Sequence, residues 1–297
     1  PQSLFANGEM SVRYFGFLPK TDLTIESRHL GLVTAEEIPD IKERLNALGE
    51  LAEKNIDIDG IMQTCERPAA AYSAPHLNTV SSGKPPVIAV AKDKAFCFIY
   101  EDNIDLLKRL GCGIRYFSPL ADSRIPDEAD GLILPGGYPE LYAERLSANT
   151  EMLADIKEKI SAGLPAIAEC GGFMYLHDTF TDMEGNEFPG AGVIHGKAYG
   201  TQKLQRFGYV TLTAKRDNLL CAADGKFPAH EFHYFDSTAC GSDMTAEKSD
   251  GRTWDCGHAN AHLYAGFPHL YFYADLGLAE SFVSACAEFK EKNGKNT

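Results

Sequence analysis

From Val87 onward the sequence predicts an α/β fold, an open and mostly parallel sheet wrapped by helices. Three observations predict it. Short continuous apolar runs, such as Val-Ile-Ala-Val-Ala at 87–91, have the texture of strands buried on both faces. Segments of helical periodicity separate these runs, with short connections that force strand and helix to alternate. Two runs also end at paired glycines, Gly136-Gly137 and, directly after Cys170, Gly171-Gly172. Open sheets of this kind gather their ligands at such strand ends.

Before Val87 the signals are weaker. Residues 14–18 (Tyr-Phe-Gly-Phe-Leu) read as a short buried strand stopped by Pro19, and 26–32 as a loop. Over 38–55, apolar residues at Ile41, Leu45, Leu48 and Leu51 recur every three or four positions, which places them on one helix face. A second short helix is expected at 58–62. Residues 1–67 are too few for an ordinary domain and enter without an initiator methionine, so they are expected to be the end of a truncated one. Residues 68–86 are rich in Ala, Ser, Pro and Gly, the composition of a linker.

The α/β part is then expected over 87–297. A helix at 103–110 closes at Gly111, and strands follow at 114–117 and 129–134. A longer helix, about 149–161, stops at Gly163, and the next strand ends at Cys170. Beyond Tyr175, alternating or aromatic patterns at 190–197, 207–214 and 231–235 suit antiparallel additions. A stretch at 261–273 leads into a last helix, 278–289.

Composition narrows the function. A net charge of −14 argues against non-specific binding to nucleic acid or an acidic membrane, while leaving room for a local basic pocket. No apolar run is long enough to span a bilayer, and no signal-peptide pattern opens the chain. The eight cysteines form no C-x-x-C pair, which disfavours a zinc knuckle or disulfide framework and fits a cytoplasmic setting. No metal site is expected.

Cys170 is the candidate nucleophile. Strand, cysteine, two glycines and helix reproduce the geometry that the G-x-S-x-G elbow uses to expose a nucleophile. Backbone N–H groups beginning with that of Gly171 could favour the thiolate and hold an oxyanion. The alternative is a small buried hydrophobe, the usual fate of a free cysteine. Among nine histidines, His269 sits at an element end where a crevice residue belongs. His230 and His233, three apart in His-Glu-Phe-His-Tyr, would face opposite sides of a strand and make no metal pair. Gly136-Gly137 is a tight turn or, beside Cys170, part of an oxyanion hole.

Leu-Pro-Gly-Gly-Tyr-Pro-Glu (134–140), Ala-Glu-Cys-Gly-Gly-Phe-Met-Tyr-Leu (168–176), His-Glu-Phe-His-Tyr (230–234) and Phe-Pro-His-Leu-Tyr-Phe (267–272) together resemble a class I glutamine amidotransferase. The match is to the cobyrinic acid a,c-diamide synthase type of cobalamin biosynthesis. Gly-Phe-Leu-Pro (16–19) and Arg-His-Leu-Gly-Leu (28–32) resemble the close of that family's ATP-dependent synthetase domain. The resemblance implies a flavodoxin-like amidotransferase domain at 87–297, preceded by the end of a P-loop, dethiobiotin-synthetase-like α/β domain. It implies that Cys170 forms a glutamyl thioester, that His269 moves protons, and that Gly136, Gly137 and Gly171 shape the glutamine and oxyanion site. His230, Glu231 and His233 would wall the glutaminase from the corrin site or simply form a structural strand. Arg28 and His29 would meet substrate carboxylates or ATP, or form a salt-bridged loop. Glutamine, the corrin precursor cobyrinic acid and a missing N-terminal synthetase domain are the implied partners, and a homodimer is compatible with them.

The chain departs from the family pattern in three ways, one of them the run His-Leu-Tyr-Phe-Tyr at 269–273 in place of a His-Leu-His-Phe-like pattern. It contains no G-x-x-x-x-G-K-[ST], so ATP and Mg2+ are implied for the full-length enzyme only, and this polypeptide should hydrolyse glutamine without amidating. Two positions past His269, where many triad amidotransferases carry glutamate, stands Tyr271, which leaves the histidine's orienting partner unassigned. Three other readings stay open: an amidotransferase for another tetrapyrrole (nickel-sirohydrochlorin a,c-diamide or cobyric acid synthesis), a non-catalytic binding module of the same fold, and an unrelated cysteine hydrolase or chaperone.

Overall fold

The computed structural model describes residues 13–24, 27–28, 31–32, 38–68, 77 and 85–294. The chain divides into two compact units, Pro1–Pro75 and His76–Thr297. The expected linker at 68–86 is described only at 68, 77, 85 and 86.

In the first unit, β1 (Ser27–Arg28) and β2 (Gly31–Leu32) pair antiparallel inside the stretch expected to be a loop. Helices α1 (Ile41–Asn55) and α2 (Ile58–Cys65) follow the expected periodicity, and the Asp57 carboxylate caps α2 by accepting the Gly60 N–H. The apolar stripe of α1 is only half-covered: the helix buries no residue fully and Leu45 is exposed. Residues 14–18 are not the buried strand that their apolar character suggests. Gly16 makes one isolated bridge to Ile56, and Phe17 and Leu18 are exposed. Gly16 has φ +116, a conformation outside the β region, and its backbone lies against the Asn55 carbonyl, so the ladder cannot extend.

The second unit carries β3 (Val87–Ala91), α3 (Glu101–Arg109), β4 (Gly113–Phe117), β5 (Gly131–Leu134), α4 (Ala143–Ala148), α5 (Thr150–Ser161), β6 (Ala166–Glu169) and α6 (Gly171–Tyr175). Then come β7 (His177–Thr181), β8 (Glu187–Pro189), β9 (Ile194–Gly200), β10 (Arg206–Ala214), β11 (Lys226–His233), β12 (Phe235–Ser237), β13 (Met244–Glu247), β14 (Thr253–Cys256), β15 (His258–Ala259), β16 (Leu263–Gly266) and α7 (Leu276–Gly294). The central sheet has the order β15-β16-β6-β5-β3-β4, parallel except for β15. Its five parallel strands, counted along the chain, lie in the order 2-1-3-4-5 of flavodoxin-like sheets.

The all-apolar strands divide their side chains between two layers, as a doubly covered sheet requires. Ala89, Ala91, Leu132, Leu134, Ala166 and Ala168 pack with Met152, Ile156 and Ile160 of α5. Ile88, Val90 and Ile167 point the other way, onto Leu106 and Leu107 of α3 and Phe282 and Val283 of α7. Each large apolar side chain removed from water here contributes about 1.5–3 kcal/mol. Two smaller sheets complete the unit. One, in the order β11-β10-β13-β14, is antiparallel and packs Val210, Leu212, Phe227 and Met244 into the α3 and α7 layer. The other, β12-β9-β7-β8, is mixed, because β7 and β9 run parallel.

The register brings the carboxyl ends of β3, β5, β6 and β16 side by side, with Leu134 opposite Ala168 and Glu169 opposite Gly266. The residues following these four strands include the Ala95–Phe98 segment, Gly136-Gly137, Cys170 and His269.

Candidate active site

Cys170 stands between β6 and α6 with φ 47 and ψ −103, a left-handed conformation that a side chain with a Cβ rarely adopts. Such backbone costs about 1–3 kcal/mol and persists only where its surroundings over-determine it. Here two hydrogen bonds do so: the Cys170 N–H donates to the Gly266 carbonyl at 2.8 Å, and its own carbonyl accepts the Met174 N–H at 2.9 Å. The turn also needs its glycines. A Cβ on Gly172 would overlap the Leu134 carbonyl, and one on Gly171 would lie 2.9 Å from Pro139 Cδ and 3.0 Å from the Gly137 nitrogen.

His269 follows the end of β16 by three residues, and a reciprocal backbone pair fixes it. Its N–H donates to the His230 carbonyl at 2.8 Å, and the His230 N–H donates to the His269 carbonyl at 3.1 Å. The ring is buried, is hydrogen-bonded to Cys170, and sets Nδ1 3.4 Å from Oε2 of Glu169. Glu169 Oε1 accepts the Leu270 N–H at 3.1 Å, so one carboxylate holds both the imidazole and the backbone beside it. Asn103 of α3 fastens the next residues by donating to the Leu270 carbonyl and accepting the Phe272 N–H, both at 2.8 Å.

Glu169 is thus the histidine's missing partner. Tyr271, at the position where a glutamate was sought, instead donates its hydroxyl to Asp102 at the surface. The sequence did hold a signal for Glu169: it is the one charged residue in the Ala166–Glu169 strand, and a carboxylate there needs a buried partner. Burial by itself would lower the basicity of His269. Hydrogen bonds to Cys170 and Glu169, and the negative charge of both, outweigh that and raise its pKa to about 10. The arrangement sets a charged imidazole against the Cys170 sulfur, a setting that activates a cysteine as a nucleophile.

Gly136 and Gly137 close the site from the β5 side. Asp93 accepts the Ala95 and Phe96 N–H groups, and the Ala95 carbonyl in turn accepts the Tyr138 N–H at 2.9 Å. An added Cβ on Gly136 would stand 2.5 Å from His269 Cε1, and one on Gly137 would overlap the Ala95 carbonyl. The turn is therefore packed tightly against His269 and the Ala95–Phe98 segment. A cavity of about 370 Å³ opens beside it, lined by Cys97, Phe98, Ile99, Tyr100, His230, Phe232 and His269.

The remaining candidates separate. His230 borders this cavity, and burial together with the neighbouring His269 lowers its pKa. Glu231 and His233 point to the opposite face of β11, as the period of two requires. His233 is stacked 4.0 Å from Phe267 and donates Nδ1–H to the Phe235 carbonyl, and burial holds its pKa down at about 4. Arg28 falls in β1 with its side chain outside the described residues, and His29 lies outside them altogether. Among the described residues, no group of three or more His, Cys, Asp or Glu side chains could hold a metal ion, and no helix is long and apolar enough to cross a membrane.

The pattern of the CobB/CobQ-like glutamine amidotransferase domain matches residues 87–275. The chain belongs to this family. The second unit accordingly has the class I glutamine amidotransferase fold, and its elbow cysteine and buried histidine lie within the matched span. Cobyrinate a,c-diamide synthase of Caldanaerobacter subterraneus subsp. tengcongensis is 35% identical over 290 residues, 96% of this chain and 63% of that protein. The Fusobacterium nucleatum protein of the same name is 38% identical over 288 residues, 91% of this chain and 62% of that one. The chain therefore spans a little over three fifths of the length of these relatives. Among solved structures, a glutamine amidotransferase aligns with a TM-score of 0.48 at 16% identity, covering 67% of this chain and 98% of that one.

Proposed function

We propose that this chain hydrolyses glutamine at Cys170 and supplies the ammonia to an ATP-dependent amidation of the a and c acetate side chains of cobyrinic acid. One observation carries the glutaminase part: a cysteine held at φ 47 on a strand–helix elbow, hydrogen-bonded to a buried histidine that a carboxylate clamps. The corrin acceptor is carried by the relatives that share more than nine tenths of this chain.

In this reading the Cys170 thiolate attacks the side-chain amide carbon of glutamine. The developing oxyanion is held by the backbone N–H groups of Gly137 and Gly171, the second of which has no intrahelical acceptor at the first position of α6. As the C–N bond breaks, imidazolium His269 protonates the departing nitrogen, which leaves as ammonia. The neutral imidazole then takes a proton from water, whose oxygen attacks the thioester, and glutamate and the thiolate are regenerated. Glu169 keeps Nδ1 protonated and leaves Nε2 for these transfers. The cavity next to His269 is of the size that small ligands occupy.

ATP and Mg2+ would serve the acceptor half of the reaction. The glycine turns do not fit them: the sequence lacks a phosphate-loop motif, and Gly136-Gly137 is packed against His269. We assign that half to other residues of the full-length enzyme, with residues 1–67 as the close of the synthetase domain and 87–297 as the glutaminase. The test is labelling with 6-diazo-5-oxo-norleucine followed by peptide mass spectrometry. The expected result is one adduct on Cys170, blocked by excess glutamine and slowed in His269→Ala. Equal labelling of several cysteines would overturn the reading.

A further inference from the structure

On the antiparallel sheet formed by β10, β11, β13 and β14, a second cavity of about 480 Å³ is lined by Leu204, Gln205, Arg206, Phe207, Lys248, Arg252, Thr253 and Trp254. In a chain of net charge −14 its walls hold three cations and no carboxylate. The cations differ in how far they are already neutralised. Arg252 is committed, since its guanidinium grips the Asp250 carboxylate through Nε and an Nη. Lys248 donates to the Phe207 carbonyl at 2.6 Å and retains two further N–H donors. Arg206 donates to the Gln205 carbonyl and lies over the Trp254 ring, 4.7 Å from its centre. Neither Arg206 nor Lys248 forms an ion pair among the described residues. Leu204 and Phe207 meanwhile expose apolar surface to the same space.

The buried group behind this wall is Glu231, which the proposed glutamine chemistry does not use. Its carboxylate is supported by the Trp254 side chain and feels both Arg206 and Lys248, yet Oε2 is buried without a hydrogen-bond partner. Burial raises its pKa to about 7, so near neutrality it balances the two cations only in part. Glu231 fixes the indole from behind while Arg206 covers its face. The result is a preset pair of donors above an apolar floor.

We propose that this cavity binds an oxyanion ligand with an apolar or aromatic body. Its carboxylate or phosphate oxygens meet the Arg206 guanidinium and the Lys248 ammonium, and its body rests on Leu204 and Phe207. A guanidinium presents a fork of N–H donors matched to carboxylate and phosphate alike, so the chemistry is shared by two sources, an aromatic polycarboxylate and a nucleotide. The site stands apart from the proposed glutamine chemistry, and Cys170→Ser leaves it intact.

Trp254 is the only tryptophan of the chain, so its emission reports on this cavity alone. The experiment titrates the protein with benzene-1,3,5-tricarboxylate and, separately, with ATP, following tryptophan emission and isothermal heat. At least one ligand should bind saturably, and the one that does identifies the source. Binding should weaken about tenfold or more in Arg206→Gln and in Lys248→Gln, weaken with added salt, and be unchanged in Cys170→Ser. Matching thermal transitions establish that the variants are folded, and the exposed position of Arg206 favours that outcome. No saturable response to either ligand, or a response that survives both substitutions, overturns the proposal.

Discussion

Replacing Glu169 by glutamine isolates the residue that the sequence did not reveal as a partner of His269. The amide keeps nearly the same shape, and its oxygen can still accept the Leu270 N–H, but the charge facing His269 Nδ1 is gone. Unit charges 3.4 Å apart attract by about 5 kcal/mol at an effective dielectric of about 20. Part of that is recovered by water entering from the neighbouring cavity, and the imidazolium is present in the resting protein as well as in the transition state. We therefore expect kcat for glutamine hydrolysis to fall about 100- to 1,000-fold, or about 3–4 kcal/mol, with KM nearly unchanged. The pH profile carries a second readout. Glu169 raises the His269 pKa, so the imidazolium persists to higher pH in its presence. Removing the charge lowers that pKa, and the alkaline limb of the rate profile moves to lower pH. The assay is glutamate release against pH, with the inactivation rate by 6-diazo-5-oxo-norleucine as a parallel measure of thiolate reactivity. Tyr271→Phe is the control, because its hydroxyl bonds only at the surface, and it should change the rate less than about twofold. A Glu169→Gln protein of normal thermal stability, with an unaltered rate and alkaline limb, would refute the assignment.

Two further outcomes follow from the geometry. Gly136→Ala places a Cβ 2.5 Å from His269 Cε1, so the ring must move by about 1 Å, and glutaminase activity should drop about 100-fold while circular dichroism stays native. His177, buried with Nδ1 against the Phe173 carbonyl and Nε2 2.6 Å from Ser237 Oγ, has its pKa lowered from 6.5 to about 4, chiefly by burial. Its folded pKa lies below the unfolded one, so its contribution is complete above about pH 6.5 and is lost as pH falls toward 4. That amounts to about 3 kcal/mol. Urea unfolding of wild type and His177→Gln across this window should show the flatter pH dependence in the variant. The raised pKa of Glu231 acts in the opposite direction in both proteins and cancels in the comparison.

The strands and helices that build the scaffold were legible because their cause is local. The 87–91 run, the alternation of strand and helix, and the paired glycines each reflect burial or backbone geometry within a few residues. The Cys170 elbow was legible for the same reason: a cysteine directly before two glycines at the end of an apolar strand leaves little choice of turn. Residues 14–18 misled because apolar character alone does not make a strand. A ladder also needs extended backbone and a neighbour, and Gly16 at φ +116 denies the first.

His269 is drawn to the elbow by its backbone pair with His230, 39 positions back, and by Glu169, 100 positions back. No window of sequence contains those three residues. The family resemblance placed the histidine's partner two positions on, where Tyr271 stands, and the parallel pairing of β16 with β6 supplies Glu169 instead. The second cavity has the same origin, because antiparallel pairing brings Arg206, Lys248 and Trp254 together from three separate strands and turns. The sequence by itself determined which segments fold and where the Cys170 elbow sits, since those follow from local periodicity and turn chemistry. Tertiary structure alone decided which charges meet, because burial makes an unpaired charge costly and its partner comes from wherever the sheet register brings one close.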